Sequence, residues 1–373
     1  MKRLLDTPRS PLYNGKKGGE KVCAKSALLR KEKKRMKVTI SDVAKLAGVS
    51  TATVSHTINH TRYVSEETRD RVMHAIAELG YTPDASARSF RTGKKRTIGF
   101  IVPDISNKFF ATLVETLEEY LAQRDYHLVI ANTKENMDRE ETNIRLLSAG
   151  LVDGLLVAST MDEFDRFDQL IPAAFPVVLV DRVFPVKKYG SVSVSNFQPI
   201  YRSVCRLAGK GDRRVGFIGG PERLSTTQER LSAYRQAVAD CGLADEESLV
   251  QYGDFKDNST LRCLDALLQQ QCDGLIVANG LMATEIIMYL QQKGIQLGNG
   301  IDLVSFIDYN SSFNEVYANA MDSIVQPVDE LGRAAGEQIL RRIEEPEAPV
   351  LEQVLSSTYH PHTMPISWNH SDR

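Results

Sequence analysis

From Thr97 onward the chain repeats one unit: a short apolar run, an amphipathic stretch, then another apolar run. The apolar runs cover residues 98–102, 127–131, 154–157, 177–180, 215–218, 274–277 and 303–306, and the amphipathic stretches include 109–123 and 282–292. Runs this short suit buried strands better than helices. Strands that alternate with helices pair in parallel and carry helices on both faces. The expected body is therefore an α/β domain with parallel sheets, and a ligand should sit beyond the carboxyl ends of the strands. Those ends carry IVPDISNKFF, VLVDR, FIGGPERLSTTQER, VANGLMA and SFIDYN.

Residues 38–90 follow a different pattern, in which helix signals alone occur. Thr39 can cap a first helix, with Asp42 completing a capping box, and Val43, Ala44, Leu46 and Ala47 form its apolar face. Gly48 permits a sharp turn. Ser50 can cap a second helix, 51–59, with Val54 and Ile58 facing inward. Thr51, Ala52, Ser55 and His56 lie on its other side. Small side chains there let a helix sit deep in a DNA major groove. His56 can donate to guanine acceptors, and Ser or Thr hydroxyls can serve bases or phosphates. Ser65 is expected to cap a third helix with Val72, Ile76 and Leu79 as its inner stripe and Gly80 near its end. Pro83 and an Asp84 cap then introduce a short helix over 85–91, too short to be stable alone.

The charge is divided along the same line. Residues 1–96 carry 22 Lys+Arg against 9 Asp+Glu, and residues 97–373 carry 24 against 39. A basic front joined to an acidic body suits a polyanionic partner for the front, or simply a solvated basic tail. Cys23, Cys205, Cys241, Cys263 and Cys272 form neither a Cys-x-x-Cys pair nor an even framework. Reduced thiols in a cytoplasm are expected, with no metal or cofactor. No apolar run has the length of a membrane span, and the N-terminus lacks the apolar core of a secretory signal. The expected organisation is a basic extension at 1–35, a helix-turn-helix domain at 36–82, a hinge helix and linker at 83–96, a two-lobed domain at 97–366 and a tail at 367–373. The extension, rich in Lys, Gly and Pro, is expected to be disordered or untranslated. Lys31-Glu32 can be encoded as AAG-GAG, like a ribosome-binding site, which would make Met36 the start. The alternative is a basic arm that adds non-specific DNA affinity.

The string ISDVAKLAGVSTATVSHTINHTRYVSEETRDRV resembles the N-terminal domain of the LacI/GalR family of bacterial transcription regulators, with VSHTIN and VSEETR similar to the purine repressor. The resemblance implies a recognition helix at 51–59. It places base-reading positions on Thr51, Ala52, Ser55 and His56, and phosphate contacts on Ser41, Asn59, Tyr63, Ser65 and Thr68. Simple capping is the competing role for Ser50, Ser65 and Thr68. TPDASARSF resembles the family's hinge helix, which inserts as a pair into the minor groove. Ala87 matches the small residue at the helix–helix contact, and Phe90 falls where the family usually places a leucine wedge. Such wedges unstack and bend DNA. Arg88 and Arg91 are then placed to meet phosphates.

The body resembles a two-lobed periplasmic sugar-binding protein, and PDISNKFF, DGLLVAS, VVLVDR and LVSFID are similar to fructose- and sucrose-type sugar regulators. The resemblance puts the effector-gripping arginine at Arg230. Phe109 and Phe110 take ring-stacking positions, Asp181 and Arg182 border the cleft from one lobe, and Asn279 borders it from the other. Asp181 and Asn279 can equally be strand-end turn residues. The chain departs from the family at Ser195, Gly280 and Ile307, where aspartate is common, and at Lys108, usually proline. Asp308 is expected to replace the carboxylate missing at Ile307. Fewer carboxylates and an added lysine point to an anionic effector such as a sugar phosphate or sugar acid.

The expected protein is thus a DNA-binding regulator, a repressor, controlled by a sugar or sugar phosphate. A second reading makes the body an effector-independent dimer scaffold. An enzyme is disfavoured because the strand ends carry no G-x-G-x-x-G, P-loop or G-x-S-x-G. A secreted binding protein is disfavoured by the DNA module. IVQPVDELGRAAGEQIL matches the family's closing segment, and the polar, proline-broken tail SSTYHPHTMPISWNHSDR provides no leucine heptads. A dimer on a pseudo-palindromic operator is therefore expected, not a coiled-coil tetramer.

Overall fold

The structure, a computed structural model, describes residues 38–59, 61–82, 93–254, 259–295, 297, 300–307 and 321–362. The chain divides between residues 88 and 89 into two compact units. Expectations for residues 1–35, the hinge positions Ala87, Arg88, Phe90 and Arg91, Asp308, and 367–373 lie outside the described residues.

Among the described residues the first unit holds three helices, α1 (Ile40–Ala47), α2 (Thr51–Asn59) and α3 (Glu66–Leu79). The α1 capping box is formed: Asp42 Oδ2 accepts from the Thr39 amide at 2.9 Å, and Thr39 Oγ1 accepts from the Asp42 amide at 3.4 Å. Gly48 takes φ +66°, a left-handed conformation that costs glycine little, and its amide closes α1 on Ala44 and Lys45. Ser50 Oγ accepts from the Thr53 amide at 3.0 Å and so caps α2. Val43, Ala44, Ala47, Val54, Val72 and Ala75 are buried together, with Ile58, Ile76 and Leu79 packed around them.

Two expectations fail in this unit. Leu46 is 46% exposed, because at 100° per residue it lies about 100° from the centre of the Val43–Ala44–Ala47 stripe. Ser65 occupies the N-cap position of α3 but makes no side-chain bond to the helix backbone. Its hydroxyl donates to Thr68 Oγ1 at 2.9 Å instead.

Among the described residues the second unit contains two six-stranded sheets. The first lobe begins with β1 (Thr97–Val102), α4 (Lys108–Ala122), β2 (His127–Asn132), α5 (Met137–Ser148), β3 (Gly154–Val157), α6 (Phe164–Asp168), β4 (Val177–Val180) and β5 (Gly190–Ser195). The second comprises α7 (Phe197–Lys210), β6 (Val215–Gly219), α8 (Ser225–Cys241), β7 (Val250–Tyr252), α9 (Ser259–Gln269), β8 (Gly274–Val277), α10 (Gly280–Gln292), β9 (Asp302–Ile307) and β10 (Asp322–Val325). The chain then returns through α11 (Val328–Glu344) and β11 (Glu352–Ser356) to the first lobe, and ends in the second with β12 (Thr358–His360). The sheet orders are β11-β5-β4-β3-β1-β2 and β12-β10-β9-β8-β6-β7. All pairings are parallel except β10 with β12. The α/β expectation holds.

Each sheet is covered on both faces. Phe100, Leu113, Leu117, Leu156 and Ile339 sit in one core of the first lobe, and Ile144, Leu155, Phe167 and Leu179 in the other. The second lobe has a matching pair of cores. Three connections cross between the lobes: Ser195–Asn196, Gln326–Pro327 and Ser357. The last lies in the segment read from sequence as a polar tail. Part of that tail instead forms β12 and the end of β11, because edge strands stay partly exposed and need no apolar run.

Candidate functional site

The first unit presents a polar face on α2. Thr51 and Ala52 are exposed, and Ser55 and His56 are half-buried. His56 Nδ1 lies 2.7 Å from Thr61 Oγ1, which orients the ring and leaves its other nitrogen for an outside partner. Asn59 turns back on its own helix, donating to the Ser55 carbonyl at 2.8 Å. Ser41 is exposed, Tyr63 is 94% exposed, and the Ser65–Thr68 hydroxyl pair sits at the start of α3. A tyrosine so exposed beside the short helix α2 contributes nothing to the core.

In the second unit a cavity of about 190 Å³ lies at the carboxyl ends of β1, β4, β6, β8, β9 and β10. It collects Phe109, Phe110, Asp181, Arg182, Arg230 and Asn279, which are scattered over about 170 residues of sequence. Phe109 and Phe110 pack edge to face, with ring centroids 5.0 Å apart. Asn107 caps α4 by accepting from the Phe109 amide at 3.1 Å, and Lys108 is exposed at that helix's first position.

Arg230 enters from α8. Its Nη1 donates to the Ala278 carbonyl at 2.6 Å, and its guanidinium stacks 3.9 Å from the Phe306 ring centroid. Nε is buried and has no hydrogen-bond partner among the described residues. Burial pulls its pKa down to about 10, although the nearby carboxylates of Asp181 and Glu229 work in the other direction. Even so lowered, it stays cationic at neutral pH. Asp181 is buried at φ +64°, strained for a residue with a Cβ, and such strain is characteristic of ligand sites. Burial pushes its carboxyl pKa up, while Arg230 and Arg182 oppose the rise.

Arg182 borders the cavity as expected, but its charge is already engaged. Nη1 and Nη2 donate to the two carboxylate oxygens of Glu135 at 2.8 and 2.6 Å. Burial works against the Arg182 cation, and Glu135 outweighs that penalty. Behind this pair, the buried Glu140 accepts from Ser159 and Thr160. Asn279 is a helix cap, with Oδ1 accepting from the Met282 amide at 2.9 Å. Its neighbour Gly280 must be glycine on this backbone, since a Cβ would approach the Phe306 carbonyl oxygen to 2.9 Å. Ile307 is an apolar wall, 7% exposed.

Sequence reasoning assigned no role to three polar groups here. Gln326, on the second crossover, lines the cavity, and its Nε2 is buried without a partner among the described residues. Glu135 and Glu229 hold Arg182 and the first crossover. Glu135 lies in no quoted motif, and although Gln326 and Glu229 stand in segments quoted above, their partners lie far away in sequence or are absent among the described residues.

The chain matches two family profiles. Residues 39–84 match "Bacterial regulatory proteins, lacI family", and residues 95–363 match "Periplasmic binding proteins and sugar binding domain of LacI family". It is 32% identical to the HTH-type transcriptional repressor PurR of Klebsiella pneumoniae, over 82% of this chain and 90% of that one. It is 30% identical to the ribose operon repressor of Haemophilus influenzae, over 86% and 96%. A solved complex of the transcriptional regulator CelR with cellobiose is 27% identical, has a TM-score of 0.65, and covers 87% of this chain and all of that one. With its helix-turn-helix unit and its two-lobed, cleft-bearing body, the chain belongs to the LacI family of bacterial regulatory proteins, DNA-binding transcription regulators controlled by small-molecule effectors.

Proposed function

We propose that this protein represses transcription from a pseudo-palindromic operator as a cytoplasmic homodimer, catalyses no reaction, and responds to an anionic sugar derivative in the cleft. Thr51, Ala52, Ser55 and His56 read bases, while Ser41, Asn59, Tyr63, Ser65 and Thr68 meet phosphates. Ala87, Arg88, Phe90 and Arg91 form the paired minor-groove hinge. The effector prefers one lobe arrangement and thereby shifts the population of the other. Lobe rearrangement changes the spacing of the two hinge segments, which order or melt accordingly. No described helix is long and apolar enough to cross a membrane, in keeping with a cytoplasmic site. The exposed apolar side chains Val129 and Ile130 on edge strand β2 suit burial against a second copy.

The anionic effector rests on one observation: the cleft holds buried donors without acceptors. These are Arg230 Nε and Gln326 Nε2. The helices α4, α8 and α10 also begin at the cavity, with no acidic residue in their first turns. Helix starts and a guanidinium together favour a phosphate or carboxylate. Calorimetry with D-ribose and D-fructose against D-ribose 5-phosphate and D-fructose 6-phosphate tests the reading. Binding of a phosphorylated sugar about 100-fold tighter, a gain of about 2.7 kcal/mol, is expected. Binding of neutral sugars alone would refute it. A gel shift with selected genomic fragments, with and without the tighter ligand, tests the regulatory role.

A further inference from the structure

The first crossover between the lobes is held by a single carboxylate. Glu229 Oε1 accepts from Ser195 Oγ at 3.1 Å and from the Asn196 amide at 3.0 Å, and Oε2 accepts from Asn196 Nδ2 at 3.1 Å. Asn196 is fully buried. Its Nδ2 also donates to the Val194 carbonyl, and its Oδ1 accepts from Arg230 Nη2 at 3.4 Å. The Ser195 carbonyl in turn accepts from the amide and hydroxyl of Ser357, the third crossover, at 3.4 and 3.1 Å. The first connection is therefore held by the side chain adjacent in sequence to Arg230, and the third is tied to the first through the Ser195 carbonyl.

We propose that Glu229 is the positioning residue that couples the effector cleft to the crossover between the lobes, a proposal that rests on the cleft being the effector site. The chain carries serine at 195, and the carboxylate that meets it sits across the joint on α8. Placed there, it moves with the helical turn that carries Arg230. A ligand that shifts Arg230 shifts Glu229 with it, and the crossover follows through four hydrogen bonds: three to Glu229 and one from Arg230 to Asn196. Glutamine cannot replace glutamate here. Both carboxylate oxygens face donors, and an amide NH2 would set donor against donor in a half-buried joint.

The test uses the full-length protein with Glu229→Gln, the double variant Ser195→Asp/Glu229→Gln, and Arg230→Ala. The probes are D-ribose 5-phosphate, D-fructose 6-phosphate and inorganic phosphate, followed by calorimetry, together with amide exchange of the ligand-free protein and its melting temperature. Glu229→Gln is expected to bind the best probe about 10-fold more weakly, roughly 1.4 kcal/mol. The amides of Asn196 and Ser357 should exchange about 10-fold faster, while those of β6 and β8 keep the parent rate. Moving the carboxylate onto the crossover in the double variant should restore both, an outcome that mere destabilisation would not produce. Unchanged exchange at Asn196 and Ser357 in Glu229→Gln overturns the proposal. So does a folded double variant that regains neither property. If Glu229→Gln does not fold, a folded, probe-binding double variant supports the proposal and an unfolded one overturns it. If Arg230→Ala binds every probe like the parent, or no probe binds the parent, the cleft reading fails. The exchange rates then still decide the role of Glu229.

Discussion

The DNA-reading unit and the effector cleft solve opposite problems. On α2 the side chains proposed to read bases lie close together and are exposed or half-buried, displayed on a core whose six buried hydrophobic members are three valines and three alanines. In the cleft they are buried or half-buried, gather from distant strand ends and from α8, and are partly held by other polar groups. A reader must offer its donors to a partner already rich in acceptors. A receptor must keep its donors dry so that a small ligand gains from meeting them. Loss of packing should therefore disable the reader, whereas loss of one polar partner should disable the cleft.

The largest expected effect is that of Val54→Asp. A carboxylate in so small a core costs several kcal/mol, about 3 or more. Operator binding should vanish by gel shift, while the melting transition of the body persists. Retained operator binding would mean that the reader does not depend on its core. Next is Arg182→Ala, which strands the buried Glu135 and should cost about 3–5 kcal/mol in urea denaturation. A loss under about 1 kcal/mol would show the pair to be far better solvated than its geometry indicates. His56→Ala should lose about 1–3 kcal/mol of discrimination between operator and mutated operator, with unchanged stability. An equal loss on all sequences would make His56 a phosphate contact. Smallest, Thr39→Ala removes one cap and should cost about 1 kcal/mol of thermal stability in the reader alone. Coupled destabilisation of the body would show that the two units unfold together.

The reader was legible because its rules are local. Capping at Thr39 and Ser50, the turn at Gly48 and the spacing of Val54 and Ile58 all act within one or two helical turns. The failures had equally local causes: Leu46 falls at the edge of its stripe, and the Ser65 hydroxyl found a nearer partner in Thr68. In the body, β3, β4 and β8 were legible to the residue, since each is an unbroken apolar run buried on both faces. The strands β5, β7, β10, β11 and β12 were not read. They are short or carry alternating polar residues, and their pairing partners lie elsewhere in the chain; β11, for example, joins β5 across about 160 residues.

The cleft shows the same division. Arg230, Phe109, Phe110 and Asp181 were placed through the family resemblance, and the structure brings all four to one cavity. Arg182 was placed at the correct wall without its partner, because Glu135 lies 47 residues away in an unremarkable loop. Glu229 was passed over although it stands beside Arg230, since its significance depends on Asn196, 33 residues earlier, being folded against it.

The amino-acid sequence by itself determined the alternation of strands and helices, the capped reader and the family, because these depend on periodicity and on residues within a few positions of each other. Which cleft donors are unpaired among the described residues, which arginine is neutralised, and which carboxylate holds the first crossover were decided only by the tertiary structure. Burial and hydrogen bonding at those sites are set by residues tens to hundreds of positions apart, and no local pattern encodes them.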